Sequence, residues 1–145
     1  MSPLPMKKFS LIRPDTHTPF HVDFDWWKQN DSNWRVDLHG CLCAEHQASF
    51  TNLDEGYRID WVDAETAEVT SVDGLEHVLM THCSLQPEFL DMSIPLVDAV
   101  FRVFVANHNK PMTSDQLAEL TGKPSETILR TLAGPKIYKG IRPAP

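Results

Sequence analysis

The residues of this chain best suited to chemistry are the run Cys43-Ala-Glu-His46 and the pair His82-Cys83. Zinc is held tetrahedrally by thiolate sulfur and imidazole nitrogen, and a two-residue gap lets one turn of backbone supply two ligands. A Cys-x2-His pair at the end of one helix could join Cys83 at the end of another. His82 would complete four ligands, with His77 and Cys41 as alternatives. Cys43, His46, His82 and Cys83 are therefore the expected metal ligands, and zinc the expected ion. The plainer alternative is that the cysteines are ordinary buried thiols and the histidines are solvated. A redox pairing of Cys43 with Cys83 is a further alternative.

A second constellation is His21-Val-Asp23. On a strand these two side chains share a face, as in His-x-Asp metal pairs. No third ligand is evident, so an exposed polar strand face competes with a small metalloenzyme site. No Gly-rich phosphate loop and no nucleophile elbow occurs.

The elements that must position these residues are read from hydrophobic spacing. Residues 1–19 carry Pro3, Pro5, Pro14 and Pro19 and should be irregular. Phe20, Val22, Phe24 and Trp26 alternate with polar residues, which predicts a strand, in competition with a turn into a helix carrying Trp26 and Trp27. Asp31 or Ser32 would cap a helix bearing Trp34, Leu38, Cys41 and Leu42 on one face. Residues 57–62 and 68–72 alternate around a turn at 63–67, which predicts a β-hairpin with Tyr57, Ile59 and Trp61 on one face. Asp73-Gly-Leu-Glu76 has the form of a capping box that opens a helix to about Thr81. Ser84 to Met92, with Pro87, reads as a connector.

The last third is more regular. Ser93 is an expected N-cap with Pro95 in the first turn, and Val97, Val100, Phe101 and Phe104 lie on an apolar stripe. That helix should end near Asn107. Thr113-Ser-Asp-Gln116 is a second capping box, opening a helix over Ser114 to Thr121. Gly122 is suited to stop it in a left-handed conformation. Ser125 would cap a third helix, from Glu126 to about Ala133, which Gly134-Pro135 ends.

The stretch Leu117 to Leu132 resembles the helix-turn-helix of bacterial transcription regulators, within a winged-helix unit. Ala118, Gly122 and Ile128 stand where that family places a small residue, the turn and a buried residue. The resemblance implies that the third helix enters the major groove. Ser125, Thr127 and Arg130 would then face DNA beside Glu126, with Lys136, Lys139 and Arg142 near the phosphates on a short strand or wing.

Charge follows the same division. Residues 1–101 hold 6 Lys and Arg against 17 Asp and Glu, whereas residues 102–145 hold 7 against 3. A basic tail could touch phosphates that an acidic front would repel. The expected organisation is an α+β unit over 1–92, possible to staple with a metal, followed by a winged-helix-like unit over 93–145. No apolar run is long enough for a membrane helix, and no secretory signal is legible. Three cysteines, two of them one residue apart, argue against a disulfide scaffold and for a cytoplasmic setting. Four tryptophans would serve as core, or mark a homodimer or partner contact. Three functions are carried forward: a DNA-binding or transcription-linked regulator, an adaptor using the same helices on a protein partner, and a metalloenzyme around His21 and Asp23.

Overall fold

The structure is a computed structural model that describes residues 13–50, 58–91 and 93–145, apart from the side chains of Ile59 and Trp61. Tyr57 and the face assigned to Ile59 and Trp61 thus lie outside the described residues. The elements in order are β1 (Phe20–Val22), α1 (Phe24–Asn30), α2 (Trp34–Gly40), α3 (Ala44–Ser49), β2 (Arg58–Val62), β3 (Val69–Asp73) and α4 (Gly74–Thr81). Two 3-10 turns (Cys83–Leu85 and Pro87–Leu90) lead to α5 (Leu96–Ala106), α6 (Ser114–Thr121), α7 (Ser125–Leu132) and β4 (Ile141–Pro143). The architecture is α+β, as expected.

The strand at Phe20 is shorter than its alternation suggests. Asp23 accepts a hydrogen bond from the Trp26 N–H at 3.0 Å, which caps α1 and ends the strand at Val22. The competing reading, a turn into a helix with Trp26 and Trp27, is the one observed. The N-cap of α2 is Asn33, not Asp31 or Ser32. Asp31 instead accepts from the Asn33 N–H at 2.9 Å and from the Trp27 indole at 3.1 Å. The hairpin is present, with β2 and β3 antiparallel and Val62 opposite Val69. Asp73 caps α4 through the Leu75 and Glu76 N–H groups, but Glu76 does not reach back; it pairs with Lys28 at 2.8 Å. The Asp73 carboxylate also forms a buried ion pair with Arg35.

Pro95, not Ser93, is the N-cap of α5. Asp91 holds the Ser93 N–H in a turn at 2.9 Å, and the residue before a proline is disfavoured in helical conformation. The second capping box is complete, with the Thr113 and Gln116 bonds both made, and Gly122 caps α6 at φ 73°. The N-cap of α7 is Pro124; Ser125 is already its first residue.

One core crosses the expected boundary at 92/93. Trp27, Trp34, Leu38, Leu75 and Leu79 belong to the same buried cluster as Phe101, Phe104, Leu117, Ile128 and Ile141. The sheets show the same union. β1 pairs antiparallel with β4, and Phe20 also bridges Met112, so the front of the chain lies between two segments of the back. Asn109, at φ 58°, accepts from the Val22 N–H at 2.9 Å and donates to the Val22 carbonyl at 2.8 Å.

Gly140 closes this junction at φ +74°; a Cβ there would meet Trp27 Cβ at 2.7 Å and the Asp23 carbonyl at 2.8 Å. Gly140→Ala is therefore expected to lower stability by about 2–4 kcal/mol from backbone strain and overpacking. Gly40 has nothing within 4 Å of a Cβ and ends α2, so Gly40→Ala should gain about 0.5 kcal/mol. Urea denaturation of both variants checks the pair of signs.

Candidate metal centre

The site forms where the short helix α3 meets the end of α4. Cys43 is the N-cap of α3, and His46 lies one turn along it. His82 is the C-cap of α4, and Cys83 opens the first 3-10 turn. Helix α3 contributes no buried residue. Six residues are too few to hold helical form on propensity alone, so the position of α3 depends on what its side chains reach. Gln47 donates to the Leu42 carbonyl at 2.9 Å, which fixes the turn into α3 from one side. The other side is the cysteine and histidine cluster.

The four expected ligands do not fall in one set: Cys43, His46 and Cys83 form a triangle, and His82 groups with Cys43, His46 and Glu45 but not with Cys83. Cys43 Sγ lies 3.2 Å from His46 Nδ1 and 3.5 Å from Cys83 Sγ, and Cys83 Sγ lies 3.7 Å from His46 Nδ1. A tetrahedral zinc with Zn–S near 2.3 Å and Zn–N near 2.0 Å needs S···S edges of about 3.8 Å and S···N edges of about 3.5 Å. The observed triangle is within a few tenths of an ångström of that figure. Ligand atoms of Cys43, Glu45, His46 and His82 also lie within 4.8 Å of one another. The His46 and His82 rings meet edge to face with centroids 4.5 Å apart. Glu45 approaches His82 Nε2 at 3.9 Å. This Cys/Glu/His/His cluster can hold a metal ion. Glu45 was not among the expected ligands, although its place inside Cys43-x-Glu-His46 was visible.

The sulfurs differ in setting. Burial pushes the Cys83 thiol up to about 11, with its neighbour Cys43 modulating the shift. Burial also raises Cys41, which sits in the core and takes no part in the cluster, while the Arg102 guanidinium opposes that rise. Cys43 is only half-buried. A small cavity of about 170 Å³ is lined by all three cysteines, Cys41, Cys43 and Cys83, and further by Gln86, Glu88 and Arg102.

The other candidate residues are placed elsewhere. His21 is on β1 opposite Arg142, but Asp23 lies beyond the strand end, so the two share no strand face. The Asp23 carboxylate caps α1 and meets Arg142 at 3.4 Å. On and just after α7, Arg130 and Lys136 are exposed and Thr127 is half-buried. Ser125 Oγ donates to Asp115 Oδ1 at 2.5 Å. Lys139 is held by Asp98 at 3.3 Å and Asp37 at 3.8 Å, over the Phe101 ring. Arg142 stacks on Trp26 as well as meeting Asp23. Two of the expected phosphate contacts are thus engaged inside the molecule, because the acidic front folds against the basic tail. An open groove of about 590 Å³ runs along α7 between Arg13, Glu126, Leu129, Arg130 and Ala133. No helix among the described residues is long and apolar enough to cross a membrane.

No family model, curated protein or solved structure matches the chain.

The unequal thiols give a direct test. In metal-free protein at pH 8, iodoacetamide should label Cys43 first and Cys83 at least roughly tenfold more slowly, because the thiolate is the nucleophile and burial limits access. Peptide mass mapping over time reads the order; equal rates at all three cysteines would contradict the described burial.

Proposed function

We propose that this chain is a zinc-stabilised docking protein of a reducing, cytoplasmic compartment, which meets a protein partner through the exposed side of α6 and α7. The observation that carries the zinc reading is the triangle of Cys43, His46 and Cys83, whose edges fit a tetrahedral ion. A fourth ligand would come from His82 or Glu45, which group with Cys43 and His46 but not with Cys83. Mixed thiolate and imidazole ligation favours zinc over magnesium or calcium, which take oxygen. The ion would act as a staple. It would join α3, which has no buried side chain of its own, to the corner after α4.

The charge around α7 favours a protein partner over DNA. Asp115, Glu119 and Glu126 are exposed on the two helices, and Lys139 and Arg142 are engaged internally. Leu120 on α6 is 54% exposed, an apolar contact of the kind that docking surfaces use. The second reading, a DNA-binding or transcription-linked regulator, draws on the capped turn at Gly122 and on exposed Arg130 and Lys136. A homodimer would use the same face and is read by mass in solution.

Elemental analysis of purified protein is expected to give about one zinc per chain, and cobalt substitution to give thiolate charge-transfer bands. Cys43→Ser, His46→Ala and Cys83→Ser should each abolish tight binding, and Cys41→Ser should keep it. Protein without any bound transition metal, and without cobalt bands, would end the zinc reading. The two partner readings separate by gel retardation. DNA binding predicts retarded duplex that falls steeply with salt and is lost in Arg130→Ala. Docking predicts no retardation at physiological salt, and a co-purifying protein released by Leu120→Asp.

A further inference from the structure

The geometry points to a second use of the same sulfurs: we propose that Cys43 and Cys83 are a peroxide-responsive thiol pair, closing to a disulfide that excludes the metal. For metal release the proposal rests on the zinc reading. The thiol chemistry itself rests on the positions of the sulfurs.

Three observations bring the pair together. The two Sγ atoms are 3.5 Å apart, although the residues are 40 positions apart in the chain and belong to separate elements. The small cavity is lined by Cys43 and Cys83, and by Cys41 as well, which gives a molecule the size of hydrogen peroxide a route to the cluster. His46 Nδ1 lies 3.2 Å from Cys43 Sγ and 3.7 Å from Cys83 Sγ, so one imidazole bridges the two sulfurs. Cys43 is the half-buried partner and Cys83 the buried one, which assigns first attack to Cys43 and resolution to Cys83. Cys41 lines the same cavity but is 4% exposed and takes no part in the contacts that join Cys43, His46 and Cys83, so it serves as an internal control.

The steps balance as follows. The Cys43 thiolate attacks one oxygen of hydrogen peroxide and the O–O bond breaks. Hydroxide leaves and takes up the proton released by the thiol, forming water and a sulfenic acid on Cys43. The Cys83 sulfur then attacks Cys43 Sγ, the S–O bond breaks, and the hydroxyl departs with the Cys83 proton as a second water. Two thiols and one peroxide yield one disulfide and two waters; the sulfurs lose two electrons and the peroxide gains them. When the thiolates start on zinc, both protons come from solvent and the ion is set free. A disulfide sulfur no longer carries the charge that binds zinc, so the two states exclude each other. Either state ties α3 to the corner after α4, but only the metal state uses His46 and the fourth ligand.

The test uses the full chain in two portions, one zinc-loaded and one stripped with chelator, each exposed to hydrogen peroxide. Non-reducing peptide maps are expected to show the Cys43–Cys83 link in both portions. In the loaded portion, a chromogenic chelator should register zinc in step with the link. Cys41 should remain a free thiol throughout, and Cys41→Ser should behave as the parent does. Cys83→Ser should stop at a sulfenic acid on Cys43 that dimedone traps. No link in either portion, or links to Cys41 of equal yield, would overturn the proposal. A chain that takes up no zinc yet forms the link defeats the metal reading alone. A chain that holds zinc and resists peroxide in both portions defeats the thiol-pair proposal alone.

Discussion

The Trp27 indole holds the two ends of the chain in one body. It is 1% exposed, packs edge-on to Phe101 with ring centroids 5.3 Å apart and to Trp34 at 6.3 Å, and donates its N–H to Asp31. A buried aromatic of this size dominates the burial energy around it, and the N–H needs a partner once it leaves water. Asp31 supplies that partner and also holds the turn between α1 and α2. Gly140 approaches Trp27 from the other end of the chain, so β4 can pair with β1 only while the indole keeps its place. Through α2, the same packing fixes Leu38, Cys41 and Leu42, and hence the point from which Cys43 enters the cysteine and histidine cluster.

Local chemistry was legible in the sequence where neighbours in the chain decide the outcome. The Thr113–Gln116 box and the left-handed Gly122 are settled within a few residues, and both stand as read. So does Asp73 as a cap, although Glu76 turns to Lys28, a partner 48 positions away that spacing could not reveal. The strand at Phe20 is present but stops at Val22 for a related reason. Its alternation continues to Trp26, but the Asp23 carboxylate satisfies a helix N–H and makes α1 the better use of those residues. At Ser93, a nearby aspartate and the following proline together overrode a good capping residue.

Long-range association was the part the sequence concealed. A charge balance counted by segment treats Lys139 and Arg142 as free cations, whereas folding sets Asp37, Asp98 and Asp23 against them. The separation into 1–92 and 93–145 failed to anticipate a shared core, because short strands such as Phe20–Val22 and Ile141–Pro143 carry too few residues to announce their pairing. The cysteines and histidines of the cluster were legible as candidates, since Cys-x2-His and His-Cys are unusual runs. Their closeness was not, because it depends on α3 folding back over the end of α4.

Asn109 illustrates how much one amide does in this fold. Its side chain meets the Val22 backbone as a strand would, offering an oxygen to the N–H and a nitrogen to the carbonyl. A carboxylate has no donor with which to make the second of these bonds. Hydrolysis of this one side-chain amide, in which a water is consumed and ammonia leaves, would therefore place an anion against a carbonyl oxygen at the edge of β1. The seam between β1 and β4 would loosen from there.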